Sequence, residues 1–77
     1  MTEYQGHRSW NAWNVCLYIC NEEPLYRIAV ECRRRYKNAG AAARHFLAAT
    51  GLAGTKTPDG AVYNVTCVRE ALRDILN

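Results

Sequence analysis

The chain has 77 residues, 49% hydrophobic and 22% charged, with a net charge of +3. This length predicts one small domain, and the composition is that of a folded chain rather than a disordered one. A domain this size buries only roughly 60–65% of the surface its unfolded chain exposes. Its large apolar side chains are therefore needed for structure, and a deep enclosed active site is excluded.

Residues 1–8 are polar, lack periodicity and are expected to form an arm. They also lack the basic-then-apolar order of a signal peptide, and no run approaches the ~18 apolar residues of a membrane span. A cytoplasmic protein with no membrane contact is expected. Cys16, Cys20, Cys32 and Cys67 are then expected to be reduced thiols. Each stands where a helix takes a small hydrophobe, so burial is expected for all four.

Ser9 is a natural N-cap for a first helix through Cys20. Trp10, Trp13, Leu17 and Cys20 recur at three- and four-residue steps, and Ala12, Val15 and Ile19 add a second apolar stripe. A helix apolar almost all round is expected at the centre of a bundle. Val, Tyr and Ile in so short a run also suit a strand, but the tryptophan spacing and the stop at Asn21 favour helix. Asn21-Glu22-Glu23-Pro24 ends it and starts a second helix, from Glu23 to Tyr36. Leu25, Ile28, Ala29, Cys32 and Tyr36 form its inner stripe.

Asn38-Ala39-Gly40 breaks that helix. The alanine-rich stretch from Ala41 to Thr50 predicts a third, with Ala42, Phe46 and Ala49 on one face. Gly51 should end it in the left-handed conformation, with Leu52 folding back on Leu47 in a Schellman arrangement. Residues 53–64 are a loop with a turn at Pro58-Asp59-Gly60, and a small hairpin is allowed near 57–63. Val65, Val68, Leu72, Ile75 and Leu76 give a last helix from Val65 to Leu76 an inner face. The expected fold is all-α: a single bundle of three to four short helices spanning residues 1–77.

Candidate chemistry is thin. Cys16 and Cys20 share a helical face, and Cys32 with His45 or Cys67 would complete four zinc ligands. The pattern holds no C-x-x-C, and the ligands would come from separate elements, so no metal is expected. A cysteine nucleophile needs an exposed, electropositive thiolate beside a base. Cys32 precedes three arginines but faces inward, and neither His7 nor His45 is placed to serve it. Glu22 and Glu23 are first-turn acids and make no acid/base pair. The expectation is a protein without catalytic residues or cofactors.

The charge is local. Residues 27–44 carry Arg27, Arg33, Arg34, Arg35, Lys37 and Arg44 against Glu31, while the remaining residues hold more acids than bases. Cations at a helix C-terminus complement its dipole, but that effect does not require so many. A surface of Arg27, Arg33, Arg34, Lys37 and Arg44 is therefore expected to contact a partner. Tyr18 and Tyr63 are added because so small a core cannot hold every tyrosine. An acidic protein surface and a nucleic acid both fit such a patch.

The segment Trp13-Asn14-Val15-Cys16-Leu17-Tyr18-Ile19-Cys20-Asn21-Glu22-Glu23-Pro24-Leu25-Tyr26 resembles the W-N-V-x-L-[WY]-I-x-N-[DE]-E-x-L-Y motif of small phage-encoded proteins. Thr57-Pro58-Asp59-Gly60 followed by a terminal helix is similar to their later part. Within the open positions of the pattern the chain departs from the family at Pro24, where glycine is usual, and at Cys16 and Cys20. The resemblance implies a phage or prophage accessory protein that inhibits a host defence complex stoichiometrically, with an anti-CRISPR protein as the specific reading. Its partner would be a host defence protein or ribonucleoprotein, such as a Cas subunit. The alternative is a small basic protein contacting nucleic acid through residues 27–44. The motif itself reads as scaffold: Trp13 and Leu17 in the core, Asn14 bonding a loop backbone, Tyr26 packed at the turn between helices.

Overall fold

The computed structural model describes residues 9–75. Its elements are α1 (Trp10–Asn21), α2 (Glu23–Arg35), α3 (Ala39–Thr50) and α4 (Val65–Arg73), an all-α bundle. The expected arm, 1–8, and Leu76 lie outside the described residues.

Three helices start on a side-chain cap. The Ser9 hydroxyl accepts from the Ala12 amide at 3.1 Å, the Asn38 Oδ1 from Ala41 at 3.0 Å, and the Asn64 Oδ1 from Cys67 at 2.8 Å. Each cap satisfies an amide that the first turn leaves open. Asn38 thus starts α3 at Ala39, two residues before the sequence expectation. α2 has no side-chain cap and relies on Pro24 in its first turn. Gly51 ends α3 at φ 71°, in the left-handed region. The expected Schellman bond is replaced: the Leu52 amide donates to the Thr50 hydroxyl at 3.3 Å. α4 ends at Arg73, short of Leu76.

The helices close a ring in which α1 packs on α4, α4 on α3, α3 on α2 and α2 on α1. α1 and α3 occupy opposite corners. Val15, Ile19, Phe46, Val68 and Leu72 fill the centre with no exposed surface, and Ala29, Ala42 and Ala43 let the backbones approach. Val65, expected on an inner face, is exposed, and so is Ala49, expected on one face with Ala42 and Phe46.

α1 is not the central helix its composition predicts. It has three faces. Ala12, Val15 and Ile19 are buried in the core. Asn11, Asn14 and Tyr18 hold the loop that follows α3. Trp10, 39% exposed, lies with Cys20, also exposed, on the outward face. Trp13 and Leu17 are half-buried and stand outside the group of side chains packed on the core. The tryptophans were expected inside because they are large and apolar. Hydrophobicity restricts what a core accepts but does not force every apolar residue into it.

The hairpin near 57–63 forms in reduced shape, as a single antiparallel bridge between Lys56 and Val62. Thr57 donates to the Ala61 carbonyl at 2.7 Å, and Gly60 to the Thr57 carbonyl at 2.9 Å. Gly60 sits at φ 99°, as a three-residue hairpin loop with a left-handed third position requires. The return limb carries Ala61 and Tyr63 into the core and hands the chain to α4.

The packing ranks the large side chains. Phe46→Ala is expected to cost about 3–5 kcal/mol in denaturant unfolding. Trp10→Ala, on a partly exposed ring, is expected to cost under about 1 kcal/mol. Equal losses for the two would contradict the outward placement of Trp10.

Candidate functional site

The Trp13–Tyr26 segment and the Thr57-Pro58-Asp59-Gly60 turn meet at Asn14. This side chain is 1% exposed, a buried polar group that must be bonded. Its Nδ2 donates to the Asp59 carboxylate at 3.0 Å, and its Oδ1 accepts from the Thr57 hydroxyl at 2.6 Å. The Tyr18 hydroxyl donates to the same Asp59 oxygen at 3.2 Å. One turn earlier, Asn11 donates to the Val62 carbonyl at 2.9 Å and accepts from the Val62 amide at 2.8 Å, as a neighbouring strand would. Asn14 was expected to bond a loop backbone. It bonds loop side chains, and Asn11, which sequence reasoning passed over, makes the backbone pair.

The expected basic surface divides. Arg33, expected on the contact surface, is half-buried and committed. Its Nε donates to the Ile75 carbonyl at 3.2 Å, and its Nη1 to the Lys37 carbonyl at 2.8 Å. It thereby ties the turn after α2 to the residues after α4. Arg27 pairs with Glu23 at 2.8 Å on the solvent face of α2. Arg34, Arg35, Lys37 and Arg44 are exposed, and none of them has an ion pair among the described residues. Tyr36 packs on His45 with ring centroids 5.3 Å apart, joining the end of α2 to α3, which bears Arg44. Arg35 belongs to this corner. Its signal was the run of three arginines, all of which the last turn of α2 cannot turn inward.

The tyrosines part likewise. Tyr63 is 4% exposed and sits in the core, so it leaves the candidate surface. Burial, with Glu22 and Tyr18 nearby, raises its hydroxyl above the ordinary range. Tyr18 is partly exposed, and lost hydration together with the Asp59 carboxylate raises it too. Tyr26 is 41% exposed instead of packed at the turn.

Cys32 and Cys67 are buried, Cys16 is half-buried, and Cys20 is exposed, against the expectation of burial for all four. The Cys16 and Cys20 sulfurs lie 3.9 Å apart. Among the described residues, no three His, Cys, Asp or Glu side chains converge as metal ligands. A cleft of about 80 Å³ between the start of α1 and α4 is lined by Ser9, Ala12, Thr66, Arg69, Glu70 and Arg73. Small-molecule sites begin at about 300 Å³. No helix of the described residues is long and apolar enough to cross a membrane.

The chain belongs to a family of unknown function, DUF7249, whose model matches residues 1–77. No curated protein and no solved structure matches it.

Two outcomes test this geometry. Asn14→Ala strands the Thr57 and Asp59 partners and is expected to cost about 2–3 kcal/mol. Asn14→Asp sets two carboxylates face to face, which raises their folded pKa. Stability is then present at acid pH, where the pair holds a proton, and is lost as pH rises through the carboxylate range. An unfolding midpoint independent of pH would contradict the clamp. For the thiols, Cys16 is pushed up to about 12 by burial, the Cys20 sulfur, Asp74 and Glu70. A thiol reagent at about pH 8 is expected to modify Cys20 first, with the other three protected until unfolding. Peptide mapping by mass spectrometry reads the order.

Proposed function

We propose that the protein is a phage accessory factor without catalytic activity that inhibits a host defence complex stoichiometrically, an anti-CRISPR protein in the specific reading. It meets its partner through the corner where α2 ends and α3 runs past. The observation that carries the reading is Arg34 and Arg35 at the end of α2, Lys37 in the turn after it and Arg44 on α3, all exposed and with no ion pair among the described residues. Helix-dipole complementation accounts for one or two cations at about 0.3–1 kcal/mol each, not for the whole cluster. Arginine is also, with tryptophan and tyrosine, among the side chains enriched at the energetic centres of protein contacts. The phage context rests on the resemblance of the Trp13–Tyr26 segment and of Thr57-Pro58-Asp59-Gly60 to small phage proteins. Action by surface contact agrees with a domain too small to enclose a substrate.

Arg33 is left out of the contact set because its donors already serve carbonyls of its own fold. Arg27 shares its charge with Glu23 and contributes at the edge.

The test is a plaque assay in hosts carrying an active CRISPR system, paired with binding to the purified interference complex. The wild-type chain is expected to restore plaques. Charge reversal of Arg34, Lys37 and Arg44 together, in a variant with unchanged helical circular dichroism, is expected to abolish both readouts. Single alanine replacements should cost about 2 kcal/mol at one or two positions if the partner is an acidic protein surface. A log affinity falling linearly with log salt, with a slope of about −0.9 per phosphate contacted, would transfer the assignment to double-stranded nucleic acid. Full activity of the triple reversal would remove the basic corner from the mechanism.

A further inference from the structure

The outward face of α1 is the feature that neither the core nor the basic corner uses. Trp10 and Cys20 are exposed and Trp13 and Leu17 half-buried, and these four side chains stand outside the group packed on the core. Their spacing is three, four, three. That is the heptad spacing of a two-helix seam, narrower than the stripe by which a helix packs on a globular core. α1 carries no charged residue from Trp10 to Asn21. A face of this kind on a basic protein presents no like charges to another copy of itself.

The spacing also reads the same in both directions. An antiparallel partner places residue 10 opposite residue 20 and residue 13 opposite residue 17, in two symmetric pairs of layers. Each layer then sets a tryptophan against a smaller side chain, Trp10 on Cys20 and Trp13 on Leu17, so bulk is matched by space. A parallel partner would instead stack tryptophan on tryptophan. The charges flanking the seam agree with the antiparallel sense. The first turn of α1 holds no acid, and its last turn holds no base. Glu22 and Glu23 follow its C-terminus directly. In the antiparallel arrangement Glu22, which has no ion pair among the described residues, comes to the start of the partner's α1, where negative charge is favoured.

We propose that two copies of this chain associate through α1, antiparallel about a twofold axis, with Trp13 of each copy packed on Leu17 of the other. A seam of one 12-residue helix is about 18 Å long. It buries less than the ~1,200 Å² of a stable interface, so the dimer is a weak one that responds to concentration.

The test is sedimentation equilibrium of the full chain from about 10 µM to about 2 mM, spanning the range expected of an interface this small. The weight-average mass is expected to rise from 8.7 kDa toward twice that value. Trp13→Lys and Leu17→Glu, each checked for helical content, are expected to stay monomeric alone. Mixed together they are expected to regain association, because the heterodimer keeps one native layer and gains a Lys–Glu layer. A parallel pair offers no such rescue. Trp10→Lys and Cys20→Glu, on side chains already exposed, repeat the cycle in the outer layer if either first variant fails to fold. A mass fixed at 8.7 kDa through the series overturns the proposal. So does wild-type association in a folded Leu17→Glu, or a mixture that stays monomeric. The basic-corner variants are expected to dimerise normally, so this result and the defence assay fail independently.

Discussion

The bundle depends on the grip of α1 on the 57–63 hairpin. α3 ends at Thr50 and α4 begins at Val65, and the residues between them have no helix of their own. Asn14 fastens the tip of that connection through Thr57 and Asp59, and Asn11 fastens the returning limb through Val62. These contacts span more than 40 residues of sequence and are made within one face of one helix. With the limb fixed, Ala61 and Tyr63 enter the core and Asn64 is delivered as the cap of α4. An apolar contact in the place of Asn14 would supply burial but would not specify the register of the loop, because only directional bonds distinguish one residue along a strand-like limb from the next.

Holding the hairpin has a consequence for α1. One of its faces is spent on polar bonds, so the helix cannot sit in the middle of the bundle and is placed at a corner of the ring. The core is then built from one stripe per helix, and buried alanines at 29, 42, 43 and 71 let the backbones approach. The tryptophans on the other side of α1 are left outside that core.

The helices and most of their ends were legible because they rest on local chemistry. Ser9, the Glu23-Pro24 start and Gly51 announce themselves within one turn. Asn38 and Asn64 carry the same cap chemistry, but each was read with its neighbours as a break or a loop. What sequence could not place was any side chain whose role is decided across the fold. Asn14 faces a loop far along the chain, and nothing beside it says so. Trp13 and Ile19 both recur at helical spacing, and periodicity identifies faces without saying which one meets the core. Arg33 and Arg34 are neighbours of equal charge. One step of about 100° along the helix turns Arg33 toward the carbonyls of Ile75 and Lys37 and Arg34 toward water. The site was therefore legible as a region of charge and not as a set of residues.

The ring order relates the two surfaces. α1 and α3 stand at opposite corners, and Arg44 lies on α3, away from the outward face of α1. Self-association through α1 would leave Arg44 open on both copies, on the helix that α1 does not touch. Two basic corners held on one rigid body engage a repetitive or two-fold partner at an effective concentration set by their separation, without any new contact at either site. A weak dimer is sufficient for this, because the partner itself raises the local concentration of the chain. A domain with little core to spare thereby gains reach from surfaces its packing does not use.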